Sequence, residues 1–199
     1  MAFIWKLLFK MAGWKIEGGL PADLKKCIIV AAPHTSNWDF FYAIPALYLF
    51  KIKMNYLIKK ESMVFPASIF LKRTGAIGVE RKGDAKGLVD ELAQKLKEAE
   101  ELALVVAPEG TRKSVTKWKT GFYNIALKAE LPIALSYLDY SKKIAGIGPV
   151  IYPTGDYQRD LLEIQEFYRS VIPKNPATYA VNIIQELEYE LTKKLAPEA

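Results

Sequence analysis

The 199 residues contain one cysteine, Cys27, and one histidine, His34. A single cysteine allows no internal disulfide and no cysteine-based zinc site. A single imidazole excludes any multi-histidine metal centre. Long apolar runs are also scarce. The longest covers residues 40–50 and contains Pro45; a membrane-crossing helix needs about 18 uninterrupted apolar residues. Repeats, low-complexity tracts and dividing linkers are absent. What remains is an ordinary globular balance, 51% hydrophobic and 25% charged. It excludes disorder and suits one compact domain.

Charge is unevenly placed. The chain has 28 Lys plus Arg against 22 Asp plus Glu, and residues 1–82 carry a net +8 while the remainder carries −2. A basic first half points to an anionic partner: a phosphate-bearing small molecule, an anionic membrane or nucleic acid. Plain solubility explains it as well. At the extreme N-terminus Phe3, Ile4, Leu7, Leu8, Met11 and Trp14 recur at helical spacing, with Lys6 and Lys10 on one edge. Lysines inside the apolar stretch fit a signal peptide poorly. The alternatives are a helix lying in a membrane interface, with Trp5 and Trp14 at headgroup level, or one packed on the core. The density of large apolar side chains and the absence of acids favour the interface.

Downstream, short apolar runs alternate with helical periodicity. Strands are expected at residues 27–32, 54–59, 76–80, 102–107 and 133–140. A further strand over 144–152 pairs with the last of these through a turn at Ser141-Lys142-Lys143. Helices are expected at residues 37–50, 62–72 (entered or kinked at Pro66), 84–99, 120–130, 157–171 and 177–194. The pattern is a single α/β domain: a mixed, largely parallel sheet flanked by helices, with an N-terminal amphipathic helix.

Ligands of open α/β sheets bind beyond the carboxyl ends of strands. The stretch from Pro33 to Asp39 lies there, after the first buried strand. On one continuous helix His34 and Asp39 would point about 140° apart. They meet if His34 is in the loop and Asp39 in the first helical turn. Ser36 and Asp39 have capping-box spacing, which supports that placement. Asp39 then accepts from one ring nitrogen of His34 and leaves the other as a base. Alternatively, Asp39 only caps the helix. No glycine-flanked serine or cysteine elbow is present, so His34 would act on a substrate hydroxyl. A second strand-end loop, Glu109-Gly110-Thr111-Arg112, combines a tight turn with a guanidinium suited to phosphate or carboxylate. Arg81 ends a third strand.

His34-x-x-x-x-Asp39, then Gly75 to Arg81, then Pro108-Glu109-Gly110-Thr111-Arg112, then Leu131-Pro132-Ile133, in this order, resemble the glycerolipid acyltransferases. These include 1-acyl-glycerol-3-phosphate and glycerol-3-phosphate acyltransferases. The resemblance covers roughly residues 25–150. Pro33, Ala107 and Lys113 depart from the residues frequent in the family at those positions. It implies a mixed α/β acyltransferase domain, here residues 16–199 after the amphipathic interface helix expected over 1–15, peripheral to the cytoplasmic face of a membrane. It also implies transfer from acyl-CoA or acyl carrier protein, as co-substrate, to a glycerol-phosphate or lysophospholipid acceptor. No cofactor, no metal and no nucleic acid partner are expected. Carried over residue by residue, His34 is the general base and Asp39 its orienting partner. Arg81 holds the acceptor phosphate, and Glu109, Gly110, Thr111 and Arg112 shape the acceptor site. Thr35 and Ser36 are possible oxyanion donors. The stretches 38–48 and 63–71 are candidates for an acyl groove, and Trp118, between Lys117 and Lys119, for a membrane-contacting loop. A thioester hydrolase and a noncatalytic anionic-lipid or nucleic-acid binder are the alternative functions.

Overall fold

The computed structural model describes residues 2–80 and 85–179. Seven strands form one sheet: β1 (Lys15–Gly18), β2 (Lys26–Ala31), β3 (Met54–Lys59), β4 (Ala76–Val79), β5 (Leu102–Val106), β6 (Ile133–Asp139) and β7 (Ile144–Ile151). Their spatial order is β1-β7-β6-β2-β5-β3-β4. The five strands from β6 to β4 run parallel, and β7 turns back against β6. β1 lies on the outer edge, parallel to β7. The mixed, largely parallel sheet expected from the alternation is therefore present. The hairpin expected between residues 133 and 152 is present too. β1 was not expected, because four exposed residues carry no apolar signature.

Six helices flank the sheet among the described residues: α1 (Ala2–Met11), α2 (Trp38–Leu49), α3 (Ala67–Arg73), α4 (Ala85–Glu98), α5 (Gly121–Ala129) and α6 (Tyr157–Tyr168). Alternation along the central strand sets the two layers. Ile28 and Val30 of β2 pack with Leu92 and Leu96 of α4, Phe122 of α5 and Ile164 of α6. Cys27 and Ile29, on the opposite face, pack with Leu47 of α2. Both sheet faces are covered, as parallel strands require. The helix expected over residues 62–72 is instead a 3-10 turn at Lys60–Ser62 and a separate α3 that begins after Pro66. Residues 176–178 form a 3-10 turn, and most of the helix expected over 177–194 lies outside the described residues.

Two aromatic expectations are corrected. Trp14 is not at headgroup level: with Phe9 it is buried, stacked on Tyr42 and edge-on to Tyr140. α1 thus packs partly on the core, leaving Leu7, Leu8 and Met11 exposed. Trp118 is buried against Phe122 and Tyr168 rather than held out in a loop. Both indoles bury their large apolar surface against aromatic rings, although Nε1 of Trp118 is buried without a hydrogen-bond partner among the described residues. No residue of the stretch 63–71 lines either space that meets His34; Val64, Phe65, Ile69 and Phe70 are exposed, and Met63 and Leu71 are half-buried.

Candidate active site

Register brings the site together. β2 and β5 are parallel neighbours with Val30 opposite Val106. Their following loops leave the same edge of the sheet, so His34, four residues on, emerges beside Glu109, three residues on. β6 flanks β2 on the other side with Ser136 opposite Ala31. Tyr140, just past the end of β6, reaches the same edge.

The His34 imidazole is about a quarter exposed, and its Nδ1 lies 3.1 Å from Oδ2 of the buried Asp39. The same oxygen accepts the backbone N–H groups of Thr35 and Ser36, each at 2.9 Å. Oδ1 accepts the Tyr140 hydroxyl at 2.8 Å. Each carboxylate oxygen is therefore engaged, which offsets the cost of burying the group. Burial, with the Asp39 carboxylate beside it, pushes the Tyr140 hydroxyl far above the usual phenol range, so it remains a donor. The ring of Tyr140 packs edge-on to Trp14 and Tyr42. The Lys174 ammonium lies over both Tyr140 and Trp38, at 5.5 and 5.4 Å from the ring centres.

The expected capping box forms only in part. Asp39 returns to the Ser36 N–H, but the Ser36 hydroxyl accepts from Trp38 N at 3.2 Å and Asn37 is the N-cap residue. Thr35 and Ser36 donate their N–H groups to Asp39, which leaves neither for a substrate oxyanion.

Glu109 turns inward. Both of its oxygens accept the His34 backbone N–H, at 3.0 and 3.1 Å. Burial pushes its carboxyl up to about 7; the His34 N–H draws it down and the charge of Asp39 adds to the rise. Glu109 thus fixes the loop carrying His34, while Gly110, Thr111 and Arg112 line the adjoining cleft. Gly110 has φ +64°, a left-handed conformation that glycine adopts without a β-carbon clash. It turns the chain from the inward Glu109 to the outward Arg112. Arg81 lies outside the described residues.

Two spaces meet at His34. One is an open cleft of about 1250 Å³ whose walls include Lys59, Arg112, Lys113 and Lys119. The other is an apolar cavity of about 170 Å³ between α2 and the sheet. It is lined by Phe40, Ala43, Leu47, Tyr56 and Val105, with His34 and Asp39 at one end. Of the groove residues expected on α2, Phe40 and Leu47 line this cavity, whereas Trp38, Phe41 and Tyr48 are exposed. Among the described residues, no side chain or backbone group hydrogen-bonds Nε2 of His34, and no cluster of three or more metal-ligating side chains occurs.

Sequence reasoning missed three supporting residues. Tyr140 holds Asp39. Asn175 donates its backbone N–H to Oγ1 of Thr35 at 3.2 Å and its side-chain amide to the Thr35 carbonyl at 2.9 Å. Tyr168 donates to the carbonyls of Val30 and Ser136 at 2.9 and 3.1 Å. Each lies more than thirty residues from what it holds, and no local spacing signals the contact.

Comparison with known proteins agrees with this architecture. No curated protein sequence matches the chain. The fold is similar to that of the crystal structure of the 1-acyl-sn-glycerophosphate (LPA) acyltransferase, PlsC, from Thermotoga maritima. The TM-score is 0.60 at 19% identity, covering 96% of this chain and 78% of that one. Residues 15–138, which hold His34, Asp39 and the Glu109–Arg112 loop, match the family model described as Acyltransferase; the chain belongs to the Acyltransferase family.

Proposed function

We propose that the protein transfers a fatty acyl group from an acyl thioester, acyl-CoA or acyl carrier protein, to a hydroxyl of a glycerol-phosphate or lysophospholipid acceptor. The observation that carries this reading is the position of His34. Its Nδ1 is held by Asp39, and its ring lies where an apolar cavity meets a cationic cleft.

In this reading the Asp39 contact keeps the proton on Nδ1, and Nε2 takes the proton of the acceptor hydroxyl. The acceptor oxygen attacks the thioester carbonyl, an oxygen ester forms, and the carbon–sulfur bond breaks. The leaving thiolate takes the proton from Nε2. Asp39 stabilises the transient imidazolium, and Tyr140 and the two backbone N–H groups keep the carboxylate aimed. The apolar cavity takes part of the acyl chain. Arg112 and the neighbouring lysines attract the acceptor phosphate, and Arg81 keeps the phosphate-holding role that its place in the sequence motif implies. Holding both reactants in line contributes at least as much as the base, which supplies about 10²–10⁴-fold.

The test is a screen of acceptors with labelled acyl-CoA and acyl-loaded carrier protein, read by mass spectrometry. The expected product is an acylated glycerol-phosphate or lysophospholipid that forms only with the acceptor present. Rapid release of free fatty acid without any acceptor would identify a hydrolase instead.

A further inference from the structure

The segment between β3 and β4 places unusually large apolar side chains in water. Phe65 is 81% exposed, more than any other large hydrophobic residue described, and Val64, Ile69 and Phe70 are exposed by 61%, 53% and 55%. They form one unit. Ser68 N donates to the Val64 carbonyl and Ile69 N to that of Pro66, so the turn is tied to the start of α3. At the far end, the Thr74 hydroxyl donates back to the carbonyls of Phe70 and Leu71 and is bonded to the Tyr56 hydroxyl, which anchors the helix to β3.

The rim of this patch is basic. Lys59, Lys60, Lys72 and Arg73 are all exposed, and Glu61 is the one acid in residues 59–73, giving the segment a net +3. Lys60 is paired with Glu80 at 2.6 Å, which leaves Lys59, Lys72 and Arg73 to set the sign of the rim. An apolar centre in a cationic rim matches an anionic bilayer surface: the apolar side chains enter the acyl boundary and the cations meet the headgroups. Position strengthens the match. Lys59 and Ser62, at the start of the segment, line the same cleft as His34. α1 is less well placed, since Phe9 and Trp14 are spent on the core.

We propose that residues 63–73 are a lipid-inserting element that seats the protein on an anionic membrane with the mouth of the cleft at the interface. The choice of lipid as occupant rests on the acyltransferase reading; the exposed patch and its basic rim do not.

The test is cosedimentation of the full chain with vesicles of phosphatidylcholine mixed with phosphatidylglycerol, and with vesicles of phosphatidylcholine alone. Two double variants are compared with the native chain, Phe65→Glu with Phe70→Glu and Lys72→Glu with Arg73→Glu, each verified as folded by circular dichroism. Both are expected to lose partitioning into the mixed vesicles by about tenfold or more, with the charge variant showing no loss on phosphatidylcholine alone. Leu8→Glu, on α1, is the control and is expected to lose less. Unchanged partitioning of both double variants would overturn the proposal. So would a dimer of the native chain, seen by light scattering, that Phe65→Glu with Phe70→Glu dissolves, because a second copy would then be the occupant. Vesicle binding requires no turnover. If the variants lose binding while no acceptor is acylated, the proposed function fails and the lipid-inserting element stands.

Discussion

Residue by residue, the site is one imidazole surrounded by groups that fix it. Tyr140 is the furthest from it in sequence among those acting through Asp39, 101 positions from that carboxylate. Tyr140→Phe removes a hydrogen bond to a charged group, of order 1.5–3 kcal/mol. The expected result is a fall in kcat of about tenfold or more with KM little changed, because this hydroxyl is engaged by Asp39 and in the proposed mechanism acts through it. Steady-state kinetics with varied acceptor checks it. Glu109 carries the pH dependence. Its carboxyl is raised from 4.5 to about 7 by burial, so the folded chain holds a proton that the unfolded chain releases. The stabilisation is therefore complete below about pH 4.5 and is lost as pH rises toward 7. A carboxyl raised this far makes the fold roughly 2–3 kcal/mol less stable at pH 8 than at pH 5. Glu109→Gln keeps an acceptor for the His34 N–H and does not titrate. Denaturant unfolding at the two pH values is expected to show that part of the difference removed. His34 and Asp39 were legible in the sequence because five positions separate them and one helix start joins them. Tyr140 and the inward turn of Glu109 were not, because they depend on sheet register and on which side of a loop faces the core.

Among the elements, the buried strands β2 and β5 declared themselves as apolar runs, and β3 spans the expected residues 54–59. β1 escaped notice because its four residues are exposed and it is itself the edge strand, paired only with β7. Residues 60–73 divided at Pro66, since the residue before a proline disfavours the helical region. The N-terminal segment shows the limit of periodicity. Its apolar positions were plain, but whether they meet lipid or protein depends on α2 and β6, which bring Tyr42 and Tyr140 against Trp14. The C-terminal segment straps the His34 loop through Asn175, whose amide is bonded to the Thr35 carbonyl. Asn175→Ala leaves that part-buried carbonyl short of a partner, which costs about 1–2 kcal/mol. Thermal unfolding is expected to report this loss, and kcat is expected to fall with it as the loop loosens.

Across the molecule, five parallel strands deliver their carboxyl ends to one edge of the sheet, and the chemistry gathers there. The basic first half read from the sequence supplies Lys59 on the cleft and the basic rim around α3; the later half supplies Arg112, Lys113 and Lys119. The cleft is thus cationic from both halves, which the net charge of the halves did not reveal. The proposed chemistry turns on one step, the removal of the acceptor hydroxyl's proton by the His34 imidazole that Asp39 holds. The decisive experiment is acyl transfer by purified His34→Ala and Asp39→Asn, compared with the native chain on whichever acceptor the screen identifies, with folding verified by circular dichroism. A loss of at least about 10²–10⁴-fold is expected for His34→Ala and a sharp fall for Asp39→Asn, both folded as the native chain is. A folded His34→Ala variant that transfers acyl groups at the native rate would show that the imidazole is not the base.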